Sequence, residues 1–173
     1  MAQKSRDNIQ LLTGNAHTEL AKATAKKMGI KLTPVELSAF ANGEIRCKLT
    51  ESVRGCDVFI MQSHVGPDIN GSIIEQLIMI DAAKRASANS ITAVCPFLAY
   101  ARQDRKASGR EAITTRLVID MFSVAGADRI MSIDLHSGQS QGFFNGPFDH
   151  LIAAPVLKEY IKENLMKDEI TIV

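Results

Sequence analysis

The sequence predicts an α/β fold with a largely parallel β-sheet flanked by helices on both faces. Short apolar runs alternate along the 173 residues with segments of helical period, which is typical of repeated strand–helix units. Gly, Pro, Asn and Asp residues punctuate the boundaries between these segments. The length suits one domain with a core that needs no disulfide. We therefore expect a single domain over residues 1–173.

The first half of the chain predicts four strands and two helices. The expected strands cover residues 9–12, 31–37, 45–49 and 57–62. The second and third strands flank the polar turn 41–44, which contains an Asn-Gly pair, a strong hairpin signal. One helix is expected from about His17 to Met28. The other begins at 67–70, and its apolar residues recur at helical spacing.

The second half predicts strands at 90–97, 129–134 and 170–173, with helices at 112–124 and from Pro155 to about Leu165. Gly126, just after the helix 112–124, is the usual signal for a helix end. Pro155, near the first position of the later helix, is the usual signal for a helix start. In open α/β sheets, ligands bind at the carboxyl ends of strands. Since the chain stops in the apolar run 170–173, we expect the site loop that would follow this strand to be missing.

Charge and cysteine content narrow the class of protein. Twenty basic and nineteen acidic residues give a net charge of +1, which argues against a general nucleic-acid or membrane binder. Three cysteines without zinc spacing indicate reduced thiols and a cytoplasmic protein. The N-terminus carries no signal-peptide pattern, and no apolar run approaches membrane-spanning length.

A basic loop, residues 100–110, follows the predicted strand 90–97. It carries four cations, Arg102, Arg105, Lys106 and Arg110, against one acid, Asp104. Arginine forks suit phosphate oxygens, and lysine adds a compact point charge. A mobile basic loop commonly closes over a phosphate site. A solvated charged loop explains the same composition equally well.

An acid and an imidazole follow the predicted strand 129–134. Asp134 and His136 are two residues apart, so on a strand end both would project from the same face. Together they can hold a metal or exchange protons. The commoner role of a histidine in such a place is to satisfy a structural hydrogen bond.

The segment Phe40-Ala-Asn-Gly-Glu44 is the third candidate. Its aromatic ring, amide and carboxylate can stack on a nucleobase and hydrogen-bond to it. A hairpin turn is the simpler interpretation, and it does not exclude the other role. Walker-type phosphate loops, dinucleotide-binding fingerprints and nucleophile elbows are absent from the sequence. If the protein binds ATP, it therefore does so through a different motif.

Six motifs together resemble ribose-phosphate pyrophosphokinase, also called phosphoribosyl pyrophosphate synthetase. They occur in the family's order and at similar spacing: Phe40-Ala-Asn-Gly-Glu44, Glu51-Ser-Val-Arg-Gly55, Tyr100-Ala-Arg-Gln-Asp104, Ser123-Val-Ala-Gly-Ala127, Asp134-Leu-His136 and Gln141-Gly-Phe-Phe144. The resemblance extends from about residue 9 to the last residue. It implies the N-terminal lobe of such an enzyme, with a phosphoribosyltransferase-like (type I) fold.

The resemblance also implies an activity and a set of site residues. The family transfers the β,γ-diphosphate of ATP to the C1 hydroxyl of ribose 5-phosphate with Mg²⁺, forming 5-phosphoribosyl 1-diphosphate and AMP. Arg102, Gln103 and Asp104 match the ATP-binding segment, with Arg102 and His136 as catalytic residues. His136 matches a residue beside the magnesium, with Asp134 and Asp149 as weaker metal candidates. The adenine-recognition segment, which reaches into a neighbouring subunit's site, matches Phe40, Asn42 and Glu44.

A regulatory site for phosphate or ADP is implied as well, as is a homo-oligomer that is hexameric in the full-length form. The matching regulatory positions are Ser52, Arg54, Ala86, Ser87, Lys106, Gln141 and Asp149. The sequence departs from many relatives at Ala107, Asn145, Gly146 and His150. These departures affect the expected metal and effector contacts more than ATP binding.

Family members are about twice this length, with two similar lobes per chain. We therefore expect the C-terminal lobe, with most of the ribose 5-phosphate site, to be absent from this chain and the isolated chain to be inactive. Two alternatives stay open: a non-catalytic regulatory subunit of the same family, and a nucleotide-binding module. The regulatory subunit is disfavoured because such relatives tend to lose the basic-loop and metal-site residues that this sequence retains.

Overall fold

The computed structural model describes residues 8–165. Its strands are β1 (Ile9–Thr13), β2 (Val35–Ala39), β3 (Ile45–Leu49), β4 (Asp57–Met61), β5 (Ser90–Cys95), β6 (Arg129–Ile133) and β7 (Phe148–Leu151). Its α-helices are α1 (Thr18–Met28), α2 (Ile69–Arg85), α3 (Thr114–Ala125) and α4 (Ala154–Asn164), and a 3₁₀ helix covers Gly138–Phe143. The predicted last strand, 170–173, lies outside the described residues.

Five strands form one parallel sheet in the order β1-β4-β5-β6-β7. The central strand β5 is buried at five of its six positions, as expected for a parallel strand that is covered on both faces. The predicted α/β fold with a largely parallel sheet is confirmed. Because all five strands run the same way, their carboxyl ends meet at one edge of the sheet.

The core lies on both faces of this sheet. Along β4, Val58 and Ile60 join a large cluster with residues of α2 and α3, whereas Phe59 and Met61 contact a smaller cluster that includes Ala21 and Ala25 of α1. Alternate residues of a strand point to opposite faces, so α1 covers one face and α2 and α3 cover the other. None of the helices in the described part of the chain is both long and apolar enough to cross a membrane.

Strands β2 and β3 form a separate antiparallel hairpin in which Ala39 pairs with Ile45. The hairpin prediction is confirmed, but the predicted strand 31–37 was placed too early. Leu32 makes only an isolated bridge to Leu11, and Pro34 has no N–H with which to extend a ladder. The strand therefore begins at Val35.

Strand β7 was not predicted. It has only four residues, Phe-Asp-His-Leu, two of them polar, so it shows neither an apolar run nor a clear alternation. It pairs in parallel with β6 through contacts such as Met131 with Asp149. Three of the predicted strands end earlier than expected, β4 at Met61, β5 at Cys95 and β6 at Ile133.

Candidate functional site

A cleft of about 670 Å³ opens at the carboxyl ends of β5 and β6, where the topology predicts a ligand site. Its walls are the segments 67–70, 97–103 and 132–136. We call it the β5–β6 cleft. It brings together two of the predicted sites, since Arg102 and Gln103 line it together with Asp134 and His136.

Asp134 and His136 reach this cleft from a loop, so the prediction that they lie on a strand end was wrong. Strand β6 ends at Ile133, and Asp134 has a φ of +46°, a left-handed conformation that Asp tolerates better than most residues. The turn is stabilised at the edge strand, where Asp134 N donates to Leu151 O at 2.9 Å. The Asp134 carboxylate in turn accepts from Ala153 N at 3.2 Å.

The root of the basic loop is fixed to two helices. Tyr100 has a φ of +62°, and its hydroxyl donates to Asn70 Oδ1 of α2 at 2.5 Å. From α3, Thr115 Oγ1 donates to Tyr100 O at 2.6 Å, and Thr114 Oγ1 donates to Gln103 Oε1. Arg102 and Gln103 therefore leave a well-anchored turn, although their side chains are exposed.

The four cations of the basic loop are all exposed, and within residues 8–165 none of them forms a salt bridge with an acid. The loop is shaped instead by Glu111. Its carboxylate accepts from Ala107 N at 2.7 Å and from Ser108 Oγ at 2.7 Å, and the bond from Ser108 is the main cause that lowers the pKa of Glu111. The cations therefore stay available for an anion.

Asp104 links the basic loop to the loop after β6. A hydrogen bond from Ser137 is the largest cause that lowers the pKa of Asp104, and Gln139 Nε2 donates to Asp104 Oδ2 at 3.0 Å. The one acid of the loop is thus engaged with residues beside His136. This contact holds the two walls of the β5–β6 cleft together on their outer side.

The donor set in this cleft fits a magnesium ion that takes few of its ligands from the protein. Residues 8–165 contain no cluster of three or more His, Cys, Asp or Glu residues arranged for a metal. Magnesium commonly uses one or two carboxylates, substrate phosphates and water, and the Asp134 carboxylate fits this pattern. Asp149 does not line this cleft, and both of its oxygens accept from Arg129 Nη1, at 3.0 and 2.8 Å.

Phe40 and Glu44 lie in a different cleft, of about 890 Å³, between the β2–β3 hairpin and α2. We call it the hairpin cleft. The predicted turn is confirmed: Phe40 N donates to Glu44 O at 2.8 Å, and Asn42 Oδ1 accepts from Glu44 N at 3.2 Å. The Phe40 ring is 55% exposed. Within one chain the predicted adenine residues do not line the β5–β6 cleft, and the two clefts share only Pro67 and Asp68.

A polar cluster in the floor of the hairpin cleft was missed at the level of the sequence. Glu75 is 8% exposed, and its carboxylate accepts from Asn15 N at 2.7 Å, Asn15 Nδ2 at 2.8 Å and Gln62 Nε2 at 2.6 Å. A Cβ added at Gly14 would collide with the side-chain amide of Gln62. The signal in the sequence was the pair Glu75-Gln76 inside an otherwise apolar helix face.

The predicted regulatory positions fall into separate groups. Gly55 N donates to Ser87 O at 2.9 Å, so Ser52, Arg54, Ala86 and Ser87 lie together before the first residues of β4 and β5. Lys106 lies in the loop after β5 and Gln141 in the 3₁₀ helix after β6, both beyond the opposite edge of the sheet. Asp149 is paired with Arg129. One chain alone does not bring these residues into a single site.

Comparisons with known proteins agree on one family. Residues 9–126 match the family model described as the N-terminal domain of ribose phosphate pyrophosphokinase. A ribose-phosphate pyrophosphokinase of Bifidobacterium longum is 59% identical over 160 residues, which is 92% of this chain and 47% of the relative. That of Corynebacterium glutamicum is 52% identical over 171 residues, or 99% of this chain and 52% of the relative.

A solved structure is similar as well. The crystal structure of phosphoribosylpyrophosphate synthetase from Mycobacterium smegmatis superposes with a TM-score of 0.87 at 54% identity, covering 91% of this chain and 52% of that one. The chain thus spans about half the length of the curated relatives it matches.

Proposed function

We infer the function of this chain from its family, because it belongs to the ribose phosphate pyrophosphokinases and matches the N-terminal domain of that family. We propose that it supplies the ATP-binding half of an enzyme that transfers the β,γ-diphosphate of ATP to the C1 hydroxyl of ribose 5-phosphate. The products are 5-phosphoribosyl 1-diphosphate and AMP. Since the chain spans about half of its relatives, the ribose 5-phosphate site is assigned mostly to the other half.

One observation carries this proposal: Arg102, which forms no salt bridge within residues 8–165, lines the same cleft as Asp134 and His136 at the carboxyl edge of a parallel sheet. Diphosphoryl transfer depends mostly on positioning and on neutralising the charge of the phosphate oxygens. Arg102 offers a planar fork for phosphate oxygens, and Gln103 offers an amide beside it. Both residues follow the anchored Tyr100 turn, so they are positioned before a ligand arrives.

Asp134 and His136 would hold the Mg²⁺ of the bound nucleotide on the opposite wall of the cleft. When bound, the ion would neutralise part of the triphosphate charge. Arg105 and Lys106 follow Arg102 in the basic loop and would close on the phosphates, excluding water from the site.

The adenine residues Phe40, Asn42 and Glu44 would complete the site of a second subunit. This assignment is supported by the position of Phe40 and Glu44 in the hairpin cleft, away from Arg102 of the same chain. It requires a homo-oligomer, as does the divided set of phosphate or ADP positions. For a metabolic enzyme with three free cysteines among its described residues, we propose the cytoplasm as its compartment.

The proposal is tested by titrating this chain with Mg·ATP in a calorimeter. Arg102→Ala should weaken binding by about tenfold to a hundredfold, because it removes a charge-assisted contact to a phosphate. Arg85→Ala is the matched control, since Arg85 pairs with Asp81 on an exposed face of α2. Wild-type affinity in Arg102→Ala would remove this residue from the site.

A further inference from the structure

A buried histidine lies directly beneath the root of the basic loop. His64 follows β4 and is 0% exposed. It contacts the segment 97–99 twice: His64 N donates to Phe97 O at 3.0 Å, and His64 Nδ1 accepts from Ala99 N at 3.2 Å. His64 therefore hydrogen-bonds to the backbone at two points immediately before the Tyr100 turn.

The hydrogen bonds around His64 fix which ring nitrogen carries the proton. Since Nδ1 accepts from a backbone N–H, the proton of the neutral ring is on Nε2, which lies 2.9 Å from Gln76 Oε1. The Gln76 amide is oriented independently, because its Nε2 donates to Ile60 O at 2.8 Å and to Val94 O at 3.3 Å. Its oxygen must therefore face the imidazole, and each group donates to the next in one direction, from Ala99 N to His64 Nδ1 and from His64 Nε2 to Gln76 Oε1.

The Ala99 N–H depends on His64 Nδ1 as its acceptor. Ala99 is 4% exposed, so water cannot readily satisfy its N–H, and a buried N–H without an acceptor is costly. The imidazole ring is also stacked on Phe122 of α3, with 6.0 Å between ring centroids and 17° between planes. The ring is thus held by β4, α2 and α3 together.

We propose that His64 is a positioning residue that fixes the root of the basic loop, so that Tyr100, Arg102 and Gln103 face the β5–β6 cleft. The left-handed φ of Tyr100 persists only where the surrounding structure imposes it, and the bond to Ala99 imposes it from one side. This inference rests on the proposed function for its effect on ATP, but the fixing of the loop root is a separate, measurable property.

The test uses two variants at His64 and one control in this chain. His64→Leu keeps the size of the ring approximately but cannot accept from Ala99, whereas the side-chain oxygen of His64→Asn can replace Nδ1 as an acceptor. Phe122→Leu removes the stacked ring and core volume but leaves the acceptor in place. The readouts are hydrogen exchange of the Ala99 amide by NMR and Mg·ATP affinity by calorimetry.

His64→Leu should speed local exchange of the Ala99 amide by about tenfold or more, as expected for a buried donor that loses its acceptor, and should weaken Mg·ATP binding. His64→Asn should restore both. Phe122→Leu should lower the stability of the whole chain without moving these two readouts while the protein stays folded. Unchanged exchange in His64→Leu, or equal loss of ATP affinity in Phe122→Leu, would overturn the proposal.

Two further outcomes separate the test of His64 from the test of the proposed function. If the wild-type chain binds no Mg·ATP, the proposed function fails, whereas Ala99 exchange still decides the role of His64. If His64→Leu does not fold, a long-range ¹H–¹⁵N spectrum of the wild type decides instead. A proton on Nε2 supports the proposal, and a proton on Nδ1 contradicts it.

Discussion

Acid should destabilise this protein through His64 before most carboxylates titrate. Burial lowers the pKa of His64 to about 4 from its ordinary value of 6.5, because the charged ring would lose its hydration. In the unfolded chain the ring takes up its proton near pH 6.5. The unfolded state therefore binds more protons between these values, and the contribution of His64 to stability, complete above pH 6.5, is lost as the pH falls toward 4.

The size of this effect follows from the gap of about 2.5 pH units. At about 1.4 kcal/mol per unit, the total loss is about 3 kcal/mol, of which about 2 kcal/mol is lost by pH 5. The neighbouring Cys95 does not contribute, because burial raises the pKa of its thiol to about 12. The Cys95 thiol therefore stays neutral throughout the window from pH 6.5 down to 4.

The assay is urea unfolding at pH 7.5 and at pH 5, on the wild type and on His64→Asn. Asn does not titrate, so the difference between the two proteins cancels the carboxylates that they share. We expect the wild type to lose about 2 kcal/mol more than His64→Asn between the two pH values. Equal losses in both proteins would show that His64 titrates normally in the folded state and would refute the argument from burial.

Three further predictions concern the packing that shapes the two clefts. Gly14→Ala should lower the free energy of unfolding by about 1–3 kcal/mol, since its Cβ would collide with the Gln62 amide. Gly142→Ala, with open space around it, should not, and equal effects of the two substitutions in urea unfolding would contradict this packing. Glu75→Gln should cost about 2 kcal/mol in the same assay, because an amide cannot accept all three bonds of the carboxylate; an unchanged midpoint would mean that these bonds contribute nothing. Glu111→Ala should speed amide exchange at residues 107 and 108, with stability changed by less than about 0.5 kcal/mol, whereas unchanged exchange would show that Glu111 does not order the loop.

The features that depend on local pattern could be predicted from the sequence. The apolar run of β5, the Asn-Gly turn after Phe40 and Gly126 at the end of α3 all took the expected form. Arg102 and Asp134 line one cleft because β5 and β6 are adjacent parallel strands, whereas the sequence predicted their two segments as separate sites.

The features that depend on tertiary contacts could not be predicted in this way. Strand β7 is defined by its pairing with β6, and its four residues carry no pattern of their own. The turn at Asp134 depends on contacts with Leu151 and Ala153. The roles of Glu75 and His64 depend on which backbone groups reach them from distant parts of the chain, which periodicity does not encode.

The central claim is that Arg102, Gln103, Asp134 and His136 form one site for Mg·ATP. The most direct test is a titration of the ¹⁵N-labelled chain with Mg·ATP, followed by backbone amide shifts. We expect the largest shifts at residues 100–104 and 134–136, with smaller shifts at Ser52 and Arg54 on the other edge of the sheet. Binding that leaves residues 100–104 and 134–136 unshifted would contradict their assignment to the Mg·ATP site.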